Sequence, residues 1–294
     1  MAKDYWRRHN DRLDPETEHV EIYRNLSQHD FWWDVMQSLS LALFRTYAVP
    51  SIGGLLDATA EFTDRRQQRY DDTVLLLEAP LLHGFDSTEG RTALRRINRM
   101  HRSYDISDDD MRYVLSTFVV VPKRWIDDFG WRPLSEVELR ASVNYYRTLG
   151  ARMAIPDVPT TYEGFAELMD DHEAAHFAYS PASRRVADAL VELATTFYPR
   201  PLRRGVELFT IAMLDAPLRE ALGYDDPGPV VRNGARAALK ARARVLRHTP
   251  TRHRPKLVQD LARVRSYPGG FDLARLGTFP GAGAGGCPVP HGRS

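Results

Sequence analysis

The sequence predicts an all-α protein built as a single helical domain. Apolar residues recur at helical spacing through most of the chain, and Ser, Thr or Asp followed three positions later by an acid marks one helix start after another. No period-two alternation is long enough for a convincing strand. At 294 residues the chain is long for one domain, yet a fold of that size buries about 75% of its unfolded surface, which is room enough to enclose a small molecule. The domain is expected over residues 1–277, and the Gly/Pro-rich stretch 278–294 reads as a disordered tail.

The elements follow in order. After Asp30, the spacing of Phe31, Val35, Leu39 and Ala42 predicts a helix that Pro50 closes. A second helix runs from Glu61 to Leu77 and carries Arg69 and Thr73, four apart, on one face with Leu76. Gly84 breaks the chain, and Asp86 with Glu89 reads as an N-cap and its capping-box partner. In the helix they open, Leu94, Ile97, His101 and Tyr104 share a stripe, so an imidazole is turned inward. Ser107 before Asp108, Asp109 and Asp110 opens the next helix, expected to run to Pro122. Ser135 with Glu138 opens a helix with Val143, Tyr146 and Leu149 facing in, ended by Gly150. Thr160 with Glu163 opens another, on which Phe165, Met169, His172 and His176 form one stripe before Pro181. Further helices read from Ser183 to Phe197 and from Leu202 to Leu222, before the turn DDPGP.

Composition narrows the class. A net charge of +1 with 27% charged residues does not fit a disordered or collagen-like chain. Cys287 is the single cysteine, so no intramolecular disulfide can form, which fits a reducing compartment. The charged opening residues have no apolar signal-type core, and the best apolar stretch, 31–56, is interrupted by Asp34, Gln37, Arg45 and Pro50. A soluble, cytoplasmic protein is expected. The segment 232–265 holds eleven Lys/Arg against Asp260 alone, a net of +10, leaving −9 for the rest. It reads as a solvated helix side or as a peripheral contact for an anionic membrane; no nucleic-acid partner is expected. No Walker, dinucleotide-binding or Ser-His-Asp signature occurs.

Three sets of residues can carry chemistry. His101 reads either as a hydrogen-bonded core histidine or as a metal ligand. Arg69 and Thr73 read either as an ion-pairing arginine with a threonine bonded one turn back, or as paired donors on one face. The run HEAAH at 172–176 matches a zinc-hydrolase pattern, with His172 and His176 as ligands and Glu173 as general base. Glu192 is available downstream as a third ligand. The extended positions of that pattern hold Tyr179 and Ala182 instead of glycine and histidine.

The segments RYDDT (69–73), GFDS (84–87), INRMH (97–101), YDISDDD (104–110), YVLSTFV (113–119) and RWIDDFGWRPLS (124–135), flanked by LDPETEHVEIYRNL, ALFRTYAVPSI and AHFAYSPASRRVADA, resemble the MpaB oxygenase family over roughly residues 13 to 275. The resemblance extends more distantly to the rubber oxygenases, the latex clearing proteins. It implies globin-like helix packing around haem b, with His101 as proximal iron ligand and Arg69 and Thr73 lining the distal side, where they hydrogen-bond O₂. The rubber oxygenases have a lysine just before the threonine; this chain has Asp72 there, the candidate distal acid or base. The implied activity is oxidative attack on, or cleavage of, a carbon–carbon double bond in a small lipophilic, terpenoid or polyprenyl-type substrate. A zinc hydrolase using His172, Glu173 and His176, and a non-catalytic haem- or lipid-binding helical protein, are the alternatives.

Overall fold

The computed structural model describes residues 2–277, apart from the side chains of residues 62 and 63. The tail predicted over 278–294, with Cys287, lies outside the described residues. Among those residues there is no β-strand, and the all-α class holds.

Helices α1 (Tyr5–Asn10) and α2 (His19–Asn25) lead through a π-turn, Leu26–Asp30, into α3 (Trp32–Tyr47). Then come α4 (Pro50–Ala58), α5 (Glu61–Asp64), α6 (Arg66–His83), α7 (Thr88–His101) and α8 (Asp108–Phe129). The second half comprises α9 (Glu136–Arg152), α10 (Tyr162–His176), α11 (Pro181–Thr196), α12 (Arg203–Met213), α13 (Ala216–Leu222) and α14 (Pro229–Leu246). Helix α8 is central and packs against α3, α9, α10 and α14, while α6 and α7 form a hairpin.

The caps explain where helices begin. Ser107 accepts the N–H of Asp110 at 3.0 Å, and Ser135 and Glu138 form the full reciprocal box. Two starts fall one residue later than expected. Ser87, with extended backbone, accepts from Gly90, while Asp86 turns out to pair with Arg152 at 2.7 Å. Likewise Thr161, in place of Thr160, accepts from Gly164.

Two helices run past their expected ends, each with a proline inside it. Helix α8 continues beyond Pro122 to bury Trp125, Ile126 and Phe129. A proline inside a helix costs about 3 kcal/mol, and three such side chains each return roughly 1.5–3 kcal/mol on burial, so the helix persists. Helix α6 similarly continues past Leu77, with Pro80 inside it, to His83. The stretch 202–222 breaks instead, since Asp215 caps a new helix by accepting from Leu218, with Pro217 in its first turn.

Gly84 joins α6 to α7 at φ +89°, a conformation that side chains rarely adopt. Helices α1 and α3 are tied to the segment around and after α14: Trp6 Nε1 donates to Arg252 O at 2.8 Å, and Arg242 pairs with the buried Asp34. The N-terminal helices are anchored by Arg132, which bridges Asp30 and Glu138, each at 2.6 Å, while Asn10 donates to Glu138 at 3.2 Å. No single helix among the described residues is long and apolar enough to cross a membrane; α3 with α4 meets that length and composition only as a pair bent by 95°.

Candidate functional site

The α6–α7 hairpin brings the predicted residues together. His101 ends α7, and its Nδ1 is buried with no hydrogen-bond partner among the described residues. Burial, helped by the nearby positive charge of Arg69, lowers the imidazole pKa to about 4. The ring is therefore neutral at physiological pH. Across the hairpin, Arg69 Nη1 donates to Thr73 Oγ1 at 2.8 Å, and Thr73 Oγ1 donates to the Arg69 carbonyl at 2.8 Å. The expected i, i+4 pair thus exists as a mutually bonded unit.

Asp72 is placed differently. It is buried, and its two oxygens accept from the Tyr267 hydroxyl and from the Gly277 N–H, the latter at 2.9 Å. Burial raises its pKa against these bonds. The side chain therefore holds the C-terminal segment, and both of its oxygens are engaged there. Gly277 has φ +89°, and a Cβ would lie 2.1 Å from Met100 Sδ, so the contact requires glycine.

Residues 256–277 form a strap along α6. Asp71 Oδ2 accepts the N–H groups of Arg265 and Ser266 at 3.0 and 2.9 Å, and Glu78 accepts those of Val258 and Gln259 at 2.6 and 3.4 Å. Arg96 of α7 donates to the Leu276 carbonyl. Sequence reasoning missed this strap because it has no helical period; the acids at 71 and 78 flanking Asp72 were its only trace.

Beside Thr73 lies an apolar cavity of about 130 Å³ between α3, α6 and the strap. Trp32, Val35 and Leu39 line it from α3, Thr73, Leu77 and Glu78 from α6, and Val258 and Leu261 from the strap. Burial drives the Glu78 pKa up to about 7.

The HEAAH run is structural. Glu173 is buried, where the stripe through Phe165 and Met169 continues, whereas His176 is exposed, so the expected stripe through both histidines is corrected. Arg45 donates to both Glu173 oxygens, with Nε at 2.7 Å, and the Tyr113 hydroxyl adds a third bond at 3.1 Å. His172 stacks on Tyr113 and lies 3.4 Å from Asp110. Glu192 pairs with Arg66. Among the described residues no group of three or more His, Cys, Asp or Glu gathers as metal ligands. A glutamate saturated by a guanidinium and a phenol is not a free base, and the zinc-hydrolase reading fails on its own residues. In the basic segment, Arg232 pairs with Asp226, Arg236 with Asp128 and Arg242 with Asp34, while Arg247 bonds the Trp131 carbonyl at 2.8 Å. Those arginines serve the fold.

Residues 32–248 match the family described as ER-bound oxygenase mpaB/B'/Rubber oxygenase, catalytic domain. The chain is 30% identical over 261 residues to the ER-bound oxygenase mpaB' of Penicillium brevicompactum, covering 82% of this chain and 62% of that protein. It is 30% identical over 199 residues to the ER-bound oxygenase mpaB of the same organism, covering 61% and 51%. Against the ER-bound oxygenase mpaB of Penicillium roqueforti (strain FM164) it is 28% identical over 232 residues, covering 71% and 76%. The chain thus spans half to two thirds of the length of the two P. brevicompactum relatives.

Two outcomes follow from this geometry. Glu173→Gln leaves Arg45 half-compensated in the interior and lowers stability by about 3 kcal/mol, read from urea denaturation; an unchanged midpoint would remove the ion pair's structural role. For Glu78, the folded pKa of about 7 lies above the ordinary 4.5, so the folded protein retains a proton that the unfolded chain releases. Its contribution to stability therefore falls as pH rises from 4.5 to 7, by up to about 3 kcal/mol at 1.36 kcal/mol per unit. Glu78→Gln should flatten the difference in stability between about pH 5 and pH 8 relative to wild type; identical pH dependence in the two proteins would refute the assignment.

Proposed function

Because the chain belongs to the ER-bound oxygenase mpaB/B'/rubber oxygenase family, we propose that it is a haem b-dependent oxygenase that uses O₂ to attack or cleave a carbon–carbon double bond in a lipophilic terpenoid or polyprenyl-type substrate. The observation that carries this reading is the His101 imidazole, kept neutral and with a buried nitrogen unpartnered near Arg69, which itself bonds Thr73. A buried, unbonded polar atom costs about 1–3 kcal/mol, and a neutral imidazole is the form that ligates iron. The residues present fit the group: His101 would hold its iron through the imidazole nitrogen, and Arg69 and Thr73 would line the space beside it.

When bound, the haem supplies the iron at which dioxygen is activated. Arg69 contributes a permanent positive charge and donors that are already oriented by Thr73, so they need not reorganise as negative charge develops. The Thr73 hydroxyl fixes that guanidinium and borders the apolar cavity. The cavity receives the hydrocarbon part of the substrate and keeps water from the reacting bond. Asp72 is assigned a positioning role: by holding Tyr267 and Gly277 it keeps the strap closed over α6.

The haem assignment is tested by absorption spectroscopy and metal analysis of the purified protein, which should show a Soret band with iron and no stoichiometric zinc. His101→Ala should lose stable haem while circular dichroism keeps its helical signal; full haem retention would exclude proximal ligation. Arg69→Ala should keep the haem and slow O₂-dependent turnover of prenylated substrates by on the order of a hundredfold, corresponding to about 2–4 kcal/mol of transition-state stabilisation. Retention of both haem and full activity would remove Arg69 from the distal side.

A further inference from the structure

We propose that Gln28 determines substrate specificity: its side-chain amide donates a hydrogen bond to an oxygen carried by an otherwise apolar chain lying in the cavity between α3 and α6. The proposal rests on the reading of that cavity as the substrate site.

The cavity is mostly hydrocarbon; Lys256, Tyr70 and Tyr145 also line it, and several of its other polar side chains are committed within the fold. Ser27 and Ser40 donate to the carbonyls of Tyr23 and Met36 at 2.7 and 2.9 Å. The hydroxyls of Tyr23 and Tyr146 bond each other at 2.8 Å. Thr73 is held by Arg69, and Glu78 accepts from the strap. Gln28 differs. It lines the cavity, is only 4% exposed, and its Nε2 has no hydrogen-bond partner among the described residues.

Buried amide donors are almost always bonded in folded proteins, and leaving one unbonded costs about 1–3 kcal/mol. A residue whose only task was to fill space would be better served by leucine or methionine. Gln28 also sits within the π-turn Leu26–Asp30, a geometry that is rare and concentrated at functional sites. Its backbone carbonyl accepts the N–H of Lys256 at 3.0 Å, so its main chain is held against the strap. A buried donor in an apolar surround selects for an acceptor oxygen, because a pure hydrocarbon would leave that donor unbonded.

The test compares two probes of matched chain, 2-undecanone and n-undecane, titrated into the full-length protein with tryptophan fluorescence as the readout. The ketone-to-alkane affinity ratio should be about tenfold higher in wild type than in Gln28→Leu, about the factor one hydrogen bond to a buried donor provides. Gln28→Leu should lower that ratio by weakening the ketone about tenfold, leave alkane binding unchanged, and keep or raise the stability of the free protein. A structural role for Gln28 would instead lower stability and leave the ratio alone. Gln28→Met serves the same purpose if the leucine variant folds poorly. A wild type that binds neither probe, or a ketone-to-alkane ratio that Gln28→Leu leaves unchanged, overturns the proposal. Haem content is read separately from the Soret band of the same samples, so loss of the oxygenase reading and loss of this one are distinguishable.

Discussion

Helix α6 carries three carboxylates into the interior, Asp71 at 0%, Asp72 at 3% and Glu78 at 7% exposure. A buried carboxylate costs several kcal/mol unless donors replace its water. Here those donors come largely from one segment: backbone N–H groups of Val258, Gln259, Arg265, Ser266 and Gly277, and the Tyr267 hydroxyl. The dependence is mutual, since a strap without a regular ladder needs acceptors for its own N–H groups. The C-terminal segment is thus a structural part of α6, and the walls that α6 builds depend on it.

Those walls face opposite ways. Leu75, Leu76 and Ala79 pack against Ala93, Ile97 and Met100 of α7, which seats His101. Tyr70, Val74 and Leu77 turn toward the cavity, and Thr73 borders it. Arg69 and Thr73 lie on the boundary between the two faces, where a cation is near His101 and still adjoins the apolar space. One helix therefore sets the relation between the proposed iron ligand and the proposed substrate pocket, and its carboxylates hold the cover of that pocket in place.

Much of this was legible in the sequence where local chemistry decides the outcome. Ser107 and Ser135 cap where their hydroxyls predict, and the spacing of Arg69 and Thr73 placed them together. The proline boundaries misled because burial of Trp125, Ile126 and Phe129 outweighs a lost backbone bond, and that burial is a tertiary quantity. The strap was opaque because its residues are held by side chains about 180–205 positions away in sequence rather than by a local period. Gln28 carried no signal at all, since a π-turn has no sequence signature comparable to a cap and an amide is ordinary on any helix. The basic run 232–265 was visible as charge, but its pairing with Asp34, Asp128 and Asp226 was not.

What separates the residues that look functional from those proposed to function is whether their bonding is complete. Glu173 belongs to the most suggestive short motif in the chain, yet Arg45 and Tyr113 saturate it. Asp72 stands beside Thr73 in sequence, yet its oxygens are taken by the strap. His101 Nδ1 and Gln28 Nε2 are buried without partners, one beside the Arg69 end of α6 and one in the cavity on its other side. Unpartnered atoms also occur on Asp30, Arg132, His172, Ser183 and Thr251; Asp30 and Arg132 have ion-pair partners through other atoms, His172 lies 3.4 Å from Asp110, and the hydroxyls of Ser183 and Thr251 do not line the cavity. His101 and Gln28 have no such compensation, so the fold alone leaves their desolvation unanswered. A metal ion that accepts the imidazole's lone pair and an oxygen that accepts the amide's N–H are the two chemistries that would answer it, and both residues adjoin the helix whose geometry the strap maintains.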